Sequence, residues 1–377
     1  MPYGLIISKL LDNNDLNILK IYPLQLNFQK DYLLDLYKSF LHNRNSNFQT
    51  QYFHEQGFCI NSIFTNGNFK YFFTLILDIE EDPEEYEPIL CLVAIDYILM
   101  QNNQNDNLNF ILNDSNIESV FKFIKNFPKL KIEVKYSLIL LSNIFQTTLN
   151  IFREKGVLTR DQIEKELNTN IPSIKNCIDV NLIIKVLIYF QILREEILEG
   201  MKIPTYFLIK DLVPCRIPAI KIYEESSLRN VPTEFEGILK NSIKDFFTNY
   251  KIDENDNISI LKNIILNKEV YECFKVLRIA CIKKEELEEL QYKGVYNIDE
   301  CLNVLLNHKM IISHKDNKKN EYFSLISDFQ IIEFFPEYLY NKYIEQYKNK
   351  TINEFILMRA IEILKEELVK WIYKENF

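Results

Sequence analysis

The feature that most constrains the fold of this 377-residue sequence is a pair of apolar runs joined by a short polar turn. The runs, residues 58–65 and 69–79, are rich in β-branched and aromatic residues and flank Asn66-Gly67-Asn68. Asn-Gly accepts the positive φ angles that a type I′ turn requires, so we predict a central β-hairpin here.

An acidic stretch separates this hairpin from a helix. Residues 78–87 contain seven acids and no basic residue, and apolar residues then recur at helical spacing from Ile89 to Ile98. We place the helix start at Pro88, because a proline in the interior would break a helix that began earlier. Two strands, a tight turn and a covering helix predict the middle of a small α/β sandwich.

The elements before the hairpin complete this sandwich. Apolar runs at 4–9 and 16–22 predict a first hairpin, and residues 31–41 carry their apolar side chains on one side, as an amphipathic helix does. A further strand is expected near 49–53. The order β-β-α-β-β-α, with or without that strand, predicts one domain over residues 1–110.

Two groups of three helices and a hairpin follow, which is the element order of a winged-helix domain. The polar, Asn-rich stretch 101–118 is a linker candidate, and the first group is predicted over 111–220. Its helices are predicted at 134–152, from a Thr159–Gln162 capping box, and at 173–190, and its strands at 192–197 and 206–210. The second, over 261–335, has helices predicted at 266–278, 283–291 and 298–309, and strands at 311–314 and 322–326.

A connecting segment and a helical tail complete the prediction. The connection, 221–260, contains a helix from a Thr233–Glu236 capping box to residue 250, and the tail, 336–377, contains an amphipathic helix capped by Thr351 with Glu354 as its partner. We expect that helix to dock on the preceding domain or on a second copy. The predicted fold class is α+β: an α/β sandwich, two mainly helical winged-helix domains and a C-terminal helix.

Composition excludes several classes of function. The apolar fraction of 47% is ample for folded domains, whereas seven glycines are too few for a glycine-rich phosphate loop. The net charge of −9 opposes binding to nucleic acid. Seven scattered cysteines without a CxxC pair suggest reduced thiols, and neither a signal peptide nor an 18-residue apolar run is evident, so a soluble, cytoplasmic protein is expected.

Catalytic and metal-binding patterns are not recognised. The four histidines never fall three or four residues apart, and the acidic stretch lacks the alternating spacing and central glycine of a calcium loop. No GxSxG, HExxH or Walker motif occurs. We therefore expect no metal, no cofactor and no enzymatic turnover.

The predicted third helices are poorly suited to the DNA major groove. The one at 173–190 is mostly apolar, and the one at 298–309 sets Asp299 and Glu300 against Lys309. Only the second wing, with Lys315, Lys318 and Lys319, offers a small positive surface. Winged helices also serve as protein-interaction modules, and we expect that role here.

The first 100 or so residues resemble a longin domain, the profilin-like sandwich of trafficking proteins and small-GTPase regulators. The resemblance is carried by Gly4-Leu-Ile-Ile-Ser, by Ile21-Tyr-Pro and by the hairpin from Gly57-Phe-Cys-Ile to Leu75-Ile-Leu-Asp-Ile-Glu-Glu-Asp-Pro-Glu. The arrangement is similar to archaeal longin-type proteins and, with its winged helices, to the nitrogen permease regulator-like subunits that act on Rag-type GTPases.

The resemblance implies an adaptor or regulatory subunit that binds a small GTPase, or a longin or roadblock partner, in a homo- or heterodimer. In the activating regulator-like subunit an arginine on the central hairpin loop stabilises phosphoryl transfer, and no arginine occurs there in this chain. Asn66 and Lys70 on the hairpin and Arg44 in an earlier loop are the partner-binding candidates; activation through Lys70 or Arg44 is a third hypothesis. The alternative is a transcription regulator with a longin-like sensor that contacts DNA through Lys315, Lys318 and Lys319.

Overall fold

A computed structural model describes residues 2–11, 15–24, 30–42, 48–53, 57–66, 69–101, 117–172, 179–198, 203–219, 224 and 229–375. The chain divides into two compact units. Unit 1 comprises residues 1–130, 142–211 and 334–377, and unit 2 comprises residues 131–141 and 212–333. The fold is mixed α+β with antiparallel sheets. The predicted five-segment division stays a prediction.

Unit 1 begins with a five-stranded antiparallel sheet in the order β2-β1-β5-β4-β3. Its strands are β1 (Gly4–Leu10), β2 (Leu16–Tyr22), β3 (Phe48–Phe53), β4 (Gly57–Asn66) and β5 (Phe69–Asp78). Both predicted hairpins and the additional strand are therefore confirmed. The register of β4 and β5 ends at the pair Asn66 and Phe69, which leaves two residues between the strands.

Helices cover both faces of this sheet. Phe72 and Ile76 of β5 pack with Leu33 and Tyr37 of α1 (Lys30–His42) in one core cluster. Tyr71 and Phe73, which alternate with them, face the other side and contact the Tyr97 ring of α2 (Glu87–Gln101), at centroid distances of 5.3 and 5.8 Å. The α2 start lies one residue before the predicted Pro88. Residues 102–116 of the predicted linker lie outside the described residues.

The five-stranded sheet with α1 and α2, residues 4–101, is called the sheet region. A third helix and the first group of three helices follow it in the chain. Unit 1 contains α3 (Ile117–Asn126), α5 (Asn143–Lys155), β6 (Val157–Thr159), α6 (Arg160–Asn170), α7 (Val180–Tyr189), β7 (Leu193–Ile197) and β8 (Pro204–Leu208), and its small sheet has the order β6-β8-β7. We call residues 143–208 the first motif. The Gln162 side chain accepts a hydrogen bond from the Thr159 N–H at 2.8 Å, as predicted.

Two helix predictions in this region need correction. The single helix predicted at 134–152 is wrong: α4 (Ile132–Leu141) and α5 are separated at Ser142, whose ψ of 122° is extended. Of the helix predicted at 173–190, residues 173–178 lie outside the described residues. The remainder is α7, whose N-terminus is capped by Asp179.

The C-terminal segment of unit 1 forms α13 (Leu339–Lys348) and α14 (Glu354–Glu375). Asn353, not the predicted Thr351, caps α14, because its side chain accepts from the Ile356 N–H at 2.8 Å. Ion pairs join α14 to strand β7 of the first motif: Arg194 pairs with Glu366 and Glu367, and Arg359 pairs with Glu196. The helix therefore docks within unit 1, on the first motif.

Unit 2 contains the second group of three helices. After α4 it holds β9 (Asp211–Pro218), α8 (Thr233–Asn249), α9 (Glu254–Ile260), a π-helical turn (Leu261–Ile265), α10 (Lys268–Leu277), β10 (Ile282–Lys283), α11 (Lys284–Leu287), a 3-10 turn (Glu288–Lys293), α12 (Ile298–Asn307), β11 (Ile311–Lys315), β12 (Glu321–Leu325) and β13 (Ser327–Phe334). We call residues 268–325 the second motif; its sheet order is β10-β12-β11.

The segment before the second motif departs from the prediction in two places. Thr233 is the first residue of α8 and Pro232 occupies the N-cap position, so the predicted Thr233 cap is wrong. The predicted connection 221–260 contains a second helix, α9, which was not predicted and is capped by Asp253. The helices and strands predicted for the second motif are confirmed apart from shifts of a few residues at their ends.

Candidate interaction surfaces

The central hairpin places its candidate residues at one end of the sheet. Asn66 ends β4, and Lys70 pairs with Thr65 near the start of β5. The Lys70 side chain is exposed, and strand alternation puts it on the same sheet face as Phe72 and Ile76. Arg44 lies outside the described residues. Lys70 is thus an accessible cation, which suits recognition of an acidic partner surface.

The acidic stretch after β5 is used for local structure. Asp82 accepts a hydrogen bond from the Glu84 N–H at 3.0 Å and caps the turn Pro83–Glu85. The Tyr3 hydroxyl donates to Asp78 at 3.1 Å, and this bond lowers the pKa of Asp78. The Tyr86 hydroxyl donates to Glu81. These contacts are what an acidic, helix-initiating turn requires, and they do not gather the carboxylates around one point.

The third helix of the first motif is covered. Helix α7 packs against α2 of the sheet region, and its residues Leu182, Ile183, Val186 and Leu187 are buried. Glu87 of α2 lies in this contact: burial raises its pKa, and the charge of Lys185 partly offsets the rise. A helix packed in this way does not present a face to the DNA major groove.

The third helix of the second motif, α12, presents acidic side chains. Asp299 and Glu300 in its first turn are exposed, as the sequence led us to expect. Asp299 forms an ion pair with Lys284 at 2.6 Å, and the Asn297 side chain caps the helix by accepting from the Glu300 N–H at 3.2 Å. This surface would meet DNA phosphates with like charge.

The connection between β11 and β12, which the sequence predicted as a wing, carries the three candidate lysines. Lys315, Lys318 and Lys319 are all exposed. Asp316 accepts hydrogen bonds from the N–H groups of Lys318 and Asn320, both at 2.8 Å. Although desolvation opposes it, hydrogen bonding from Asn320 and Lys318 lowers the pKa of Asp316. This connection is therefore an ordered turn in which an ionised aspartate lies among the lysines.

A cavity of about 780 Å³ in unit 2 contains an ion cluster that the sequence did not reveal. Arg278 donates to both carboxylate oxygens of Glu133, at 2.8 and 2.9 Å, and to Asp328 at 2.7 Å. The Tyr271 hydroxyl also donates to Glu133 at 2.7 Å. Although burial alone would lower the pKa of Arg278, these acids raise it. The cluster joins α4, α10 and β13, and its partners are too far apart in sequence to be recognised as a pattern.

Two tyrosines that the sequence analysis did not single out form another exposed surface in unit 2. Tyr292 is 95% exposed and Tyr296 is 79% exposed, on either side of Gly294. Tyr292 lies in the turn Glu288–Lys293, and Tyr296 lies between that turn and α12. In the sequence this surface is marked only by two tyrosines within an acidic segment. Hydrophobic periodicity does not identify such a pair.

Over the described part of the chain, no three His, Cys, Asp or Glu side chains come close enough to share a metal ion. Within the same residues, none of the helices has the length and apolar character needed to cross a bilayer. Comparison with protein families, curated proteins and solved structures finds no match for this chain.

Proposed function

We propose that this chain is a non-enzymatic adaptor or regulatory subunit. Its sheet region binds a small GTPase or a longin or roadblock partner, and its winged helices scaffold a larger assembly. The observation that carries the proposal is the five-stranded antiparallel sheet of order β2-β1-β5-β4-β3 with helices on both faces. That architecture supports the hypothesis that the first 100 or so residues form a longin-like domain.

The charged residues of the central hairpin favour binding of a GTPase over activation of its GTP hydrolysis. Lys70 offers one exposed cation at the end of the central hairpin. Stabilisation of a transferring phosphoryl group uses the planar, bidentate guanidinium of an arginine, and the hairpin sequence contains none. The chain therefore suits recognition of a GTPase surface without a contribution to hydrolysis.

The experiment is surface plasmon resonance of the full chain against Ras-like GTPases from its own cell, loaded with GDP or a non-hydrolysable GTP analogue, and against longin and roadblock proteins. We expect Kd in the micromolar range or below for at least one of them. Lys70→Glu should weaken that binding about tenfold or more, because a like charge then faces the partner.

The matched control is Lys38→Glu on α1, an exposed lysine whose ion pair with Asp35 contributes little. This variant should bind as the parent chain does. Absence of binding to every GTPase, longin and roadblock protein tested would refute the proposal, and a GTP hydrolysis rate that the chain raises and Lys70→Ala lowers would replace it with activation.

A winged-helix transcription regulator is the second candidate, favoured by the exposure of all three wing lysines. It predicts duplex DNA binding that Lys315→Ala, Lys318→Ala and Lys319→Ala together abolish, and whose affinity falls steeply with salt. An electrophoretic mobility assay at 50 and 150 mM salt tests it. We expect no mobility shift of the DNA, because α12, which belongs to the same motif as the three lysines, presents the exposed acids Asp299 and Glu300.

A further inference from the structure

The second motif exposes two aromatic rings on one short connection. Tyr292 and Tyr296 are 95% and 79% exposed, which is unusual for side chains that supply this much apolar surface. Among the described residues, neither ring contacts another aromatic ring or a cation. Tyrosines of this kind are enriched at the centres of protein interfaces.

The connection that carries them is held in place by hydrogen bonds. The Gly294 N–H donates to the Gln291 carbonyl at 2.9 Å, and its φ of +83° is one that glycine adopts at little cost. Val295 between the rings is fully buried, and the Tyr296 N–H donates to Glu269 of α10 at 2.9 Å. The exposure of the tyrosines is therefore built into an anchored backbone, so little conformational entropy is lost when a partner binds.

The surroundings of the two rings are acidic. Residues 284–300 contain two lysines, Lys284 and Lys293, and six carboxylates: Glu285, Glu286, Glu288, Glu289, Asp299 and Glu300. Lys284 is already paired with Asp299. Within the described residues no ion pair engages Glu285, Glu288 or Glu289. The surface therefore has both π faces and an excess of negative charge.

We propose that this surface, Tyr292 and Tyr296 with Glu288, Glu289 and Glu300, binds a lysine- or arginine-rich segment of a partner protein. Cations stack on tyrosine faces and are neutralised by carboxylates, so one basic segment satisfies both features at once. Nucleic acid and anionic lipid are both repelled by the same carboxylates.

This inference extends the scaffolding half of the proposed function to one surface and one partner chemistry, and it rests on that half. Its test is separate from the GTPase test, since it uses variants in residues 288–300 and leaves Lys70 unchanged. Loss of peptide binding with intact GTPase binding, or the reverse, shows which of the two ideas fails.

The experiment is fluorescence anisotropy of the full chain with a fluorescein-labelled 12-residue peptide in which arginine alternates with glycine and serine, at about 150 mM salt, where loose charge attraction is screened. We expect saturable binding. The double variant Tyr292→Ala/Tyr296→Ala should raise Kd about tenfold, as two exposed cation–π contacts would. This variant changes no charge, so simple electrostatic attraction would leave Kd unaltered.

Two controls complete the design. Tyr340→Ala/Tyr347→Ala removes two exposed tyrosines of α13, at 46% and 42% exposure, and should leave Kd unchanged. Glu288→Gln/Glu289→Gln should weaken binding and flatten its salt dependence. The thermal midpoint of each variant, measured by circular dichroism, should match that of the parent chain, because the altered side chains are exposed.

Two outcomes would overturn the proposal. If the Tyr292 and Tyr296 substitutions leave Kd unchanged while the glutamine variant raises it, the attraction is electrostatic and the rings bind nothing. If the peptide does not bind and light scattering shows self-association that the tyrosine variant abolishes, the surface belongs to contacts between copies of this chain.

Discussion

The first and second motifs have the same order of elements and the same sheet order, yet the third helix is covered in the first motif and partly exposed in the second. In the first motif α7 is packed on α2, and β7 is joined to α14 by the ion pairs of Arg194 and Arg359. In the second motif α12 contacts elements of its own unit and keeps its first-turn acids exposed. The same arrangement of elements is therefore an internal structural part in the first motif, whereas in the second motif it offers a candidate binding surface.

The comparison is tested most strongly at Gly156, which ends α5 of the first motif. A Cβ built there would lie 2.3 Å from Cε1 of the fully buried Tyr343, and the φ of +70° is strained for any other residue. We expect Gly156→Ala to lower the free energy of unfolding of unit 1 by about 3–5 kcal/mol. Urea unfolding followed by fluorescence of Trp371, the single tryptophan, measures it.

Gly237→Ala is the matched control for this substitution. Gly237 lies inside α8 of unit 2 with nothing within 4 Å of a built Cβ, so alanine should stabilise that helix by up to about 1 kcal/mol. Equal effects of the two substitutions would contradict the close packing of α13 on the first motif.

The contrast between the third helices is tested next. Ile184 of α7 is 2% exposed, and Ile184→Ala should cost about 2–4 kcal/mol because it leaves a cavity. Asn303, an exposed residue of α12, should tolerate alanine within about 0.5 kcal/mol. Chemical denaturation gives both values, and a small cost at Ile184 would show that α7 is accessible after all.

Ion clusters sharpen the comparison further. Arg278→Met removes the cation from between Glu133 and Asp328, whose side chains are 18% and 13% exposed, and should destabilise unit 2 by about 2–3 kcal/mol. Arg359→Met on α14 breaks partly exposed pairs and should cost less than about 1 kcal/mol. Hydrogen–deuterium exchange assigns each loss to its unit; loss of protection in unit 1 for Arg278→Met would contradict the assignment.

The smallest expected effect is the pH dependence that two histidines give to unit 2. Burial lowers the pKa of His308, where Arg216 adds to the effect and Asp256 opposes it, and burial lowers the pKa of His314, which stacks on Phe235 at 4.9 Å. The unfolded chain binds these protons more tightly. The stabilisation is therefore complete above about pH 6.5 and is lost as pH falls through the lower folded pKa values.

Amide exchange of unit 2 at pH 7.5 and 5.5 measures this slope. His308→Gln/His314→Gln should reduce it, while exchange in the first motif stays the same for both proteins. An unchanged slope in the double variant would mean that carboxylates cause the dependence.

Local patterns predicted most of the elements, and long-range contacts account for what was missed. The Asn66-Gly67 pair and the apolar runs beside it are encoded within a few residues, so the hairpin could be predicted. The break at Ser142 was missed, because apolar residues recur at helical spacing on both sides of Ser142-Asn143. Glu133 and Arg278 are 145 residues apart, so nothing local signals their contact.

Unit 1 is assembled from segments that are far apart in the chain and are therefore synthesised at different times. Tyr343 fills the space beside Gly156, 187 residues earlier in the chain, and its hydroxyl donates to the Gly156 carbonyl at 3.4 Å. During translation the first motif therefore waits for residues 334–377 before its last core position is filled, whereas all of unit 2 has by then been made. Unit 2 can fold while unit 1 is still incomplete, and a nascent chain that stops near residue 330 would leave the space beside Gly156 unfilled.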